Sequence, residues 1–310
     1  MSKVLAVFGA TGQQGGSVVN YVLNDPELSQ QYKVRAITRD VNSEKAKQLK
    51  EKVEVVQGDP LNRASLETAL AGVHTVFIMT VNYFIPGGPD IQYNSGKTMV
   101  DVAVEKGAEY IIFSTLPSVK EVSGGKYVFS LFDVKAEIEK YIRGLAIKSA
   151  FFSAGSFMDN FQSQTTLALQ PAPDGTWVMA RHFSPKTKWP LIDAVGDTGK
   201  FVGAILANPD KYEGKTFCAA TALYTTEELI ATISKATGKT VIFKQISRDD
   251  FKKTLPPEMA DTLADYFSYI EEFGYYGPDS EKLVAWAAAN ARGRLHTFEE
   301  YLEMHPVQLE

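Results

Sequence analysis

Short apolar runs alternate with segments of helical periodicity through the first 150 residues. The runs at 4–8, 33–37, 53–56, 75–79, 110–114 and 149–152 are rich in Val, Ile and Phe and bounded by polar or glycine-containing turns, which reads as strands. Between them, 12–23 carries Val18, Val19, Val22 and Leu23 on one face, and 65–71, 92–106 and 133–143 also read as helices. The charge-rich segment 42–52 reads as a solvated helix face. Strand and helix in strict alternation predict an α/β fold of Rossmann type, a doubly wound parallel sheet.

Beyond Gly155 the rhythm breaks. Pro171, Pro173, Pro185 and Pro190 interrupt the chain, with strand-like pieces near 176–178 and at 191–192. A helical stretch at 193–207 and a strand at 216–219 predict a return to the sheet, followed by helices at 226–237, 247–254 and 257–273. The expected organisation is a nucleotide-binding domain over 1–155, rejoined around 193–222. A smaller, mostly helical C-terminal region, 156–192 plus 223–310, would serve a substrate or partner. No internal repeat or low-complexity tract is present.

Composition narrows the function classes. With 310 residues, 45% hydrophobic and 22% charged, the chain can bury a large core. A net charge of −5 argues against general affinity for nucleic acid or anionic membrane. The single cysteine, Cys218, excludes an intrachain disulfide and any multi-cysteine zinc site, and its strand-like surroundings predict a buried apolar role. The sequence opens directly into a strand and has no run of about 18 apolar residues, so a cytoplasmic location is expected, with nuclear access open.

The first strand enters Gly9-Ala10-Thr11-Gly12-Gln13-Gln14-Gly15-Gly16. A strand turning directly into a helix needs positive φ at the turn, close backbone approach to a pyrophosphate, and room for the helix against the sheet; Gly9, Gly12 and Gly15 supply these in order. The helix N-terminus then offers unpaired N–H groups and a positive dipole end to an anion. The second strand ends in Thr38-Arg39-Asp40, with Thr38 where an NAD-selecting carboxylate would stand and the Arg39 guanidinium suited to a 2′-phosphate, so NADP(H) is the expected cofactor. The alternative is that Arg39 and Asp40 form an ordinary solvated turn.

Together with Gly58-Asp59, Phe132-Asp133-x-Lys135, the 157–161 stretch Phe-Met-Asp-Asn-Phe, and Asp197-Thr198-Gly199-Lys200-Phe201, these motifs resemble the NmrA-like family over nearly the whole chain. That family comprises atypical short-chain dehydrogenase relatives, and length and the lysine context place the resemblance nearest its NADPH-sensor branch. The resemblance implies that Gly9, Thr11, Gly12 and Gly15 hold the pyrophosphate, with Gln14 in the same cofactor set. It further implies Arg39 at the 2′-phosphate, Asp59 at the adenine edge, Thr80 and Asn82 along the middle of the dinucleotide, and Lys135 at the nicotinamide ribose. The second basic residue expected four positions after the arginine is replaced by Ser43, which weakens the expected preference for the phosphorylated cofactor.

Whether hydride transfer follows is the open question. Reductases of the wider family place a tyrosine four residues before the lysine, on one helix face, as proton donor. Leu131 occupies that position, and Tyr127 is a further turn away. Lys135 is then either a cofactor-binding group or a catalytic base. His74, His182, His296 and His305 lack metal-ligand spacing, so no metal is expected, and Ser114 and Ser118 have no sequence-local His. The aromatic cluster Tyr266, Phe267, Tyr269, Phe273, Tyr275 and Tyr276 reads as a planar-ligand pocket, as helical core or as a partner surface. The leading functional reading is a redox sensor acting through a regulatory protein partner. The alternatives are a reductase of a small aromatic, quinone, enone, imine or carbonyl substrate, and a scaffold keeping nucleotide affinity for stability. A homodimer is compatible with each.

Overall fold

The computed structural model describes residues 2–162 and 169–309. Six strands and a seventh from much later in the chain form one sheet: β1 (Lys3–Phe8), β2 (Tyr32–Thr38), β3 (Glu54–Gln57), β4 (Thr75–Ile78), β5 (Tyr110–Thr115), β6 (Lys148–Ala154) and, after four short strands, β11 (Thr216–Ala219). Their order is β11-β6-β5-β4-β1-β2-β3, and every pairing is parallel. Strand order reverses direction between β1 and β4, the switch point at which open α/β sheets form a crevice beyond their carboxyl ends.

Period-two alternation divides β1 between the two faces: Leu5 and Val7 join Val18, Val19 and Val22 on one side, while Ala6 and Phe8 join Leu66, Met99 and Ile138 on the other. Helices Gln13–Asn24 and Ala194–Ala207 cover the first face; Arg63–Ala69, Gly88–Glu105 and Ser130–Arg143 cover the second. The expected doubly wound sheet is therefore present. The segment Glu44–Lys50 is a helix capped by Ser43, whose hydroxyl accepts the Ala46 amide.

Beyond the sheet, helices are joined by two small sheets that take in the strand-like pieces expected near 176–178 and at 191–192. The strands β7 (Ser156–Phe157), β10 (Lys188–Ile192) and β12 (Ala222–Thr225) form one small sheet, and β8 (Gln170–Pro171), β9 (Trp177–Arg181) and β13 (Val241–Gln245) another. Only Val241 of β13 is buried, so that strand lacks the apolar run by which strands are read. Two helix starts also fall earlier than their periodicity indicates. Gly88–Glu105 begins at a glycine–proline pair, where proline suits the first turn. Ser130–Arg143 begins three residues before Asp133, because the Asp133 carboxylate accepts the Phe129 amide at 2.8 Å. Helices Ser280–Asn290 and Phe298–Met304, the second opened by a Thr297–Glu300 capping box, complete the C-terminal part.

Helices Gln13–Asn24 and Ala194–Ala207 pack closely because two glycines let them. A Cβ at Gly199 would lie 2.4 Å from Tyr21 Cβ and 2.6 Å from Ser17 O, and one at Gly203 would lie 2.3 Å from Tyr21 Cε1. The Gly199 amide donates to Ser17 Oγ at 2.9 Å. Replacing Gly199 by Leu should force the pair apart and destabilise the protein by about 1–3 kcal/mol in urea denaturation. Gly144→Ala, at a helix C-cap with φ −80° and only ordinary contacts, should change stability by no more than about 0.5 kcal/mol. Equal stabilities for the Gly199→Leu variant and the parent chain would contradict the packing account.

Candidate functional site

The turn after β1 is built by backbone constraints. Gly9 has φ +65°, and a Cβ there would lie 2.5 Å from Met79 Sδ. The Gly12 amide donates to Gly9 O at 2.8 Å, closing the turn. Gly15 has no room for a side chain, since its Cβ would stand 2.4 Å from Gly9 O and 2.6 Å from Phe8 O. Helix Gln13–Asn24 thus starts against the end of β1, with no side-chain cap and no acidic residue in its first turn. Its leading N–H groups and positive end face outward, the arrangement that receives an anion.

In front of this turn lies a groove of about 220 Å³, bordered by Gly9, Thr11 and Gly12, by Thr38 and Arg39 at the end of β2, and by Gly58. Arg39 is exposed and makes no ion pair with any described residue. No carboxylate borders the groove: Asp40 turns to the Asn42 amide, and the Asp59 carboxylate accepts the Leu61 amide at 3.0 Å. Gly15 acts in the packing rather than in the lining, and Gln14 accepts a 2.7 Å hydrogen bond from Ser114 Oγ.

A second cavity, about 390 Å³, adjoins the groove, Met79 and Thr80 bordering both. Lys135 lies at its side, 8% exposed, with Nζ donating to Thr80 Oγ1 at 3.0 Å and Thr80 O at 3.2 Å. Burial without an acidic partner lowers the Lys135 pKa to about 8. Gln92 Nε2, also buried, donates to Thr80 Oγ1 at 2.9 Å. Phe132, Phe157, Tyr266 and Tyr275 form aromatic walls, with Phe132 in edge contact with both tyrosines at 5.3 Å. Exposed Asn82 stands at the border of the same cavity.

The NmrA-like family model matches residues 1–302. The chain belongs to the NmrA-like family. An NmrA-like family domain-containing protein of Dictyostelium discoideum is 30% identical over 310 residues, covering 98% of each chain. An NmrA-like family domain-containing oxidoreductase of Cladobotryum sp. is 28% identical, covering 90% of this chain and 88% of its own. Among solved structures, that of NmrA, a negative transcriptional regulator, in complex with NADP superposes with a TM-score of 0.76 at 24% identity, covering 97% of this chain and 94% of NmrA. That last likeness establishes the shared fold.

In this NmrA-like chain the position four before Lys135 holds Leu131, packed against the C-terminal apolar cluster. Tyr127 precedes the helix carrying Lys135, and its hydroxyl donates to Glu272 at 2.8 Å, away from the lysine. Asp133 clamps the helix start, accepting from Ser118 Oγ at 3.2 Å and the Lys120 amide at 3.0 Å. Cys218 is buried, and burial raises its thiol pKa to about 12. The aromatic cluster divides: Tyr266 and Tyr275 border the cavity, while Phe267 and Tyr269 are buried in the C-terminal core. No described group of three or more His, Cys, Asp or Glu is placed to hold a metal, and no described helix is long and apolar enough to cross a membrane.

Sequence reasoning missed Met79, which walls both spaces, Gln92 behind Thr80, and Gln13, whose Nε2 donates to Asp159 Oδ2 at 2.6 Å. Phe132 and Lys135, three apart on one helix, carried the spacing that places them on a common wall.

The lowered Lys135 pKa has a thermodynamic consequence. Between about pH 8 and the ordinary lysine value, the unfolded chain binds more protons than the folded one, so this residue's contribution to stability rises with pH. Relative to Lys135→Met, the parent protein should gain stability between pH ~7.5 and pH ~9.5, by at most about 1.4 kcal/mol per pH unit. Parallel stability profiles in urea titrations at the two pH values would contradict the burial of a depressed lysine.

Proposed function

We propose that the protein is an NADP(H)-dependent reductase of a flat, conjugated carbonyl, quinone or imine compound. The observation carrying this reading is the adjacency of the two spaces: the groove at the glycine turn shares Met79 and Thr80 with an aromatic-walled cavity bordered by a buried lysine. The positive φ of Gly9, the lack of room for a Cβ at Gly15, the uncapped helix start and an Arg39 without an ion pair to any described residue fit a phosphorylated dinucleotide. On this reading the turn at Gly9, Thr11 and Gly12 takes the pyrophosphate, with Gly15 holding the helix start against the strand and Gln14 supporting it, and Arg39 takes the 2′-phosphate. Asp59 lies beside the adenine, and Thr80, Asn82 and Lys135 face the nicotinamide half. The reduced cofactor would supply a hydride. Phe132, Phe157, Tyr266 and Tyr275 would stack the acceptor, exclude water and leave its polar edge toward Thr80 and Lys135. The oxidoreductase name of the Cladobotryum relative supports the same reading, and the solved complex of the regulator NmrA with NADP supports the cofactor.

A second reading, a redox-state sensor acting through a protein partner, is favoured by Leu131. That residue leaves the lysine-bearing helix without the phenol that reductases of the wider family use. NADPH oxidation against a panel of quinones, enones and imines separates the two. Turnover supports the reductase, whereas tight binding of NADPH and NADP⁺ with no turnover and unequal effects on assembly supports the sensor.

Cofactor choice is tested separately. Arg39→Ala should cost about 1.5–3 kcal/mol of NADPH affinity and little NADH affinity. Equal losses for both in a fluorescence titration would refute the role of Arg39.

A further inference from the structure

Thr80 holds an arrangement that its place at the cofactor groove does not explain. Its Oγ1 accepts two hydrogen bonds, from Lys135 Nζ at 3.0 Å and from Gln92 Nε2 at 2.9 Å. A hydroxyl has two lone pairs and one proton. With both lone pairs taken by groups that only donate, the ammonium form of lysine and an amide nitrogen, the Thr80 proton is left to be donated in a third direction. The methyl group does not compete for that direction, because Thr80 Cγ2 faces helix Gly88–Glu105, within 3.0 Å of where a Cβ on Gly96 would stand. Thr80 borders the aromatic cavity and the groove at their junction. Two other hydroxyls there are already committed: Ser114 donates to Gln14 Oε1 at 2.7 Å, and Tyr275 donates to Ala154 O at 3.2 Å; the Tyr266 hydroxyl, which also borders the cavity, is the competing donor that the test must separate.

We propose that Thr80 is the proton donor to the substrate, in place of the phenol absent from position 131, with Lys135 recharging its hydroxyl and Gln92 aiming it. The proposal rests on the reductase reading. When a substrate carbonyl carbon accepts a hydride, its C=O π pair moves onto oxygen. That oxygen takes the Thr80 Oγ1 proton as the O–H bond breaks, and Oγ1 takes a proton from the Lys135 ammonium. Lys135 is left as the neutral amine and regains a proton from solvent. The charge on Lys135, held without a carboxylate bordering the cavity, makes the hydroxyl more acidic at the moment oxygen gains electrons. Gln92 is a positioning residue, touching Thr80 alone in this chain of contacts.

The test uses 4-nitrophenol, a flat oxygen acid whose absorption reports its ionisation and hydrogen bonding, bound to the protein loaded with NADP⁺. In the parent protein the bound phenol should ionise at lower pH than in free solution. Tyr266 and Tyr275 are the other ionisable groups bordering the cavity, so Tyr266→Phe serves as a control. Thr80→Ser, which keeps the hydroxyl, should preserve the shift; Thr80→Val should abolish it when the variant is titrated at NADP⁺ concentrations that saturate it. Tyr266→Phe should retain the shift. With any acceptor that the parent protein reduces, Thr80→Val should lose roughly 10²–10⁴ of turnover and Thr80→Ser much less. A shift that survives in Thr80→Val, one lost in Tyr266→Phe, or no binding of the phenol at all would overturn the proposal. Absence of turnover with every acceptor, beside a shift that depends on the Thr80 hydroxyl, would instead overturn the reductase reading and leave Thr80 as a donor in a binding site.

Discussion

The structure depends on the contact of one backbone with another at Gly15. Because Gly9 O, the Gly9 carbonyl carbon and Phe8 O all stand where a Cβ would go, the first turn of helix Gln13–Asn24 is pressed against the carboxyl end of β1. Much else is located by that contact. Gln14 reaches Ser114 at the end of β5, and Gln13 reaches Asp159 beyond β6. Further along the same helix, Tyr21 and Ser17 meet the glycines of Ala194–Ala207, and the Tyr21 hydroxyl donates to Arg292 O. Arg292 in turn pairs with Asp25 at 2.9 Å. One helix therefore sets the glycine turn and ties the sheet to the C-terminal part of the chain. Substitutions that move it alter stability and the groove together.

The parts legible in the sequence are those whose cause is local. A strand running into Gly9, Gly12 and Gly15 leaves few conformations open, so the turn and the parallel sheet around it follow from residue order. Arg39 was legible for the same reason, since a strand end fixes which side chain stands beside the turn. Ser43, which interrupts the expected basic pattern, serves as a helix cap, a role that its position before Glu44 also indicates. What stayed hidden was long-range or only partly apolar. Strand β13 buries one residue, and the union of Phe132 with Tyr266 and Tyr275 spans more than a hundred residues of chain. Gln92 stands in the sequence only as the expected start of a helix, and the fold alone places it behind Thr80.

Lys135 shows the energetic cost carried by such a site. A buried cation without a carboxylate partner costs stability, and proteins keep one only where neighbouring dipoles or function compensate. Here the compensation is two oxygens of a single residue, Thr80 O and Thr80 Oγ1. Two neutral acceptors hold the lysine in place but offset only part of its desolvation, so its pKa stays depressed. A carboxylate in the same position would have raised that pKa and locked the proton on nitrogen. The absence of a carboxylate from the cavity border therefore makes the lysine easier to deprotonate.

One aromatic wall of that cavity, Tyr275, and its neighbour Tyr276 are held to the sheet through backbone carbonyls. Tyr275 donates to Ala154 O at 3.2 Å and Tyr276 to Ser153 O at 2.8 Å, both at the carboxyl end of β6. A phenol buried in apolar surroundings needs a partner for its hydroxyl, and a strand's last carbonyls are left without neighbours where the sheet ends. Each group thus satisfies the other, and burial raises both tyrosine pKa values well above the ordinary range, keeping the donors protonated. The consequence is geometric: the wall that would face a substrate and the lysine that would face the cofactor are positioned by the ends of β6 and β4, the two strands that flank β5 in one sheet. Sequence change within the wall can then alter which molecule fits, while the distance from that wall to Thr80 and Lys135 remains set by the β4–β5–β6 register.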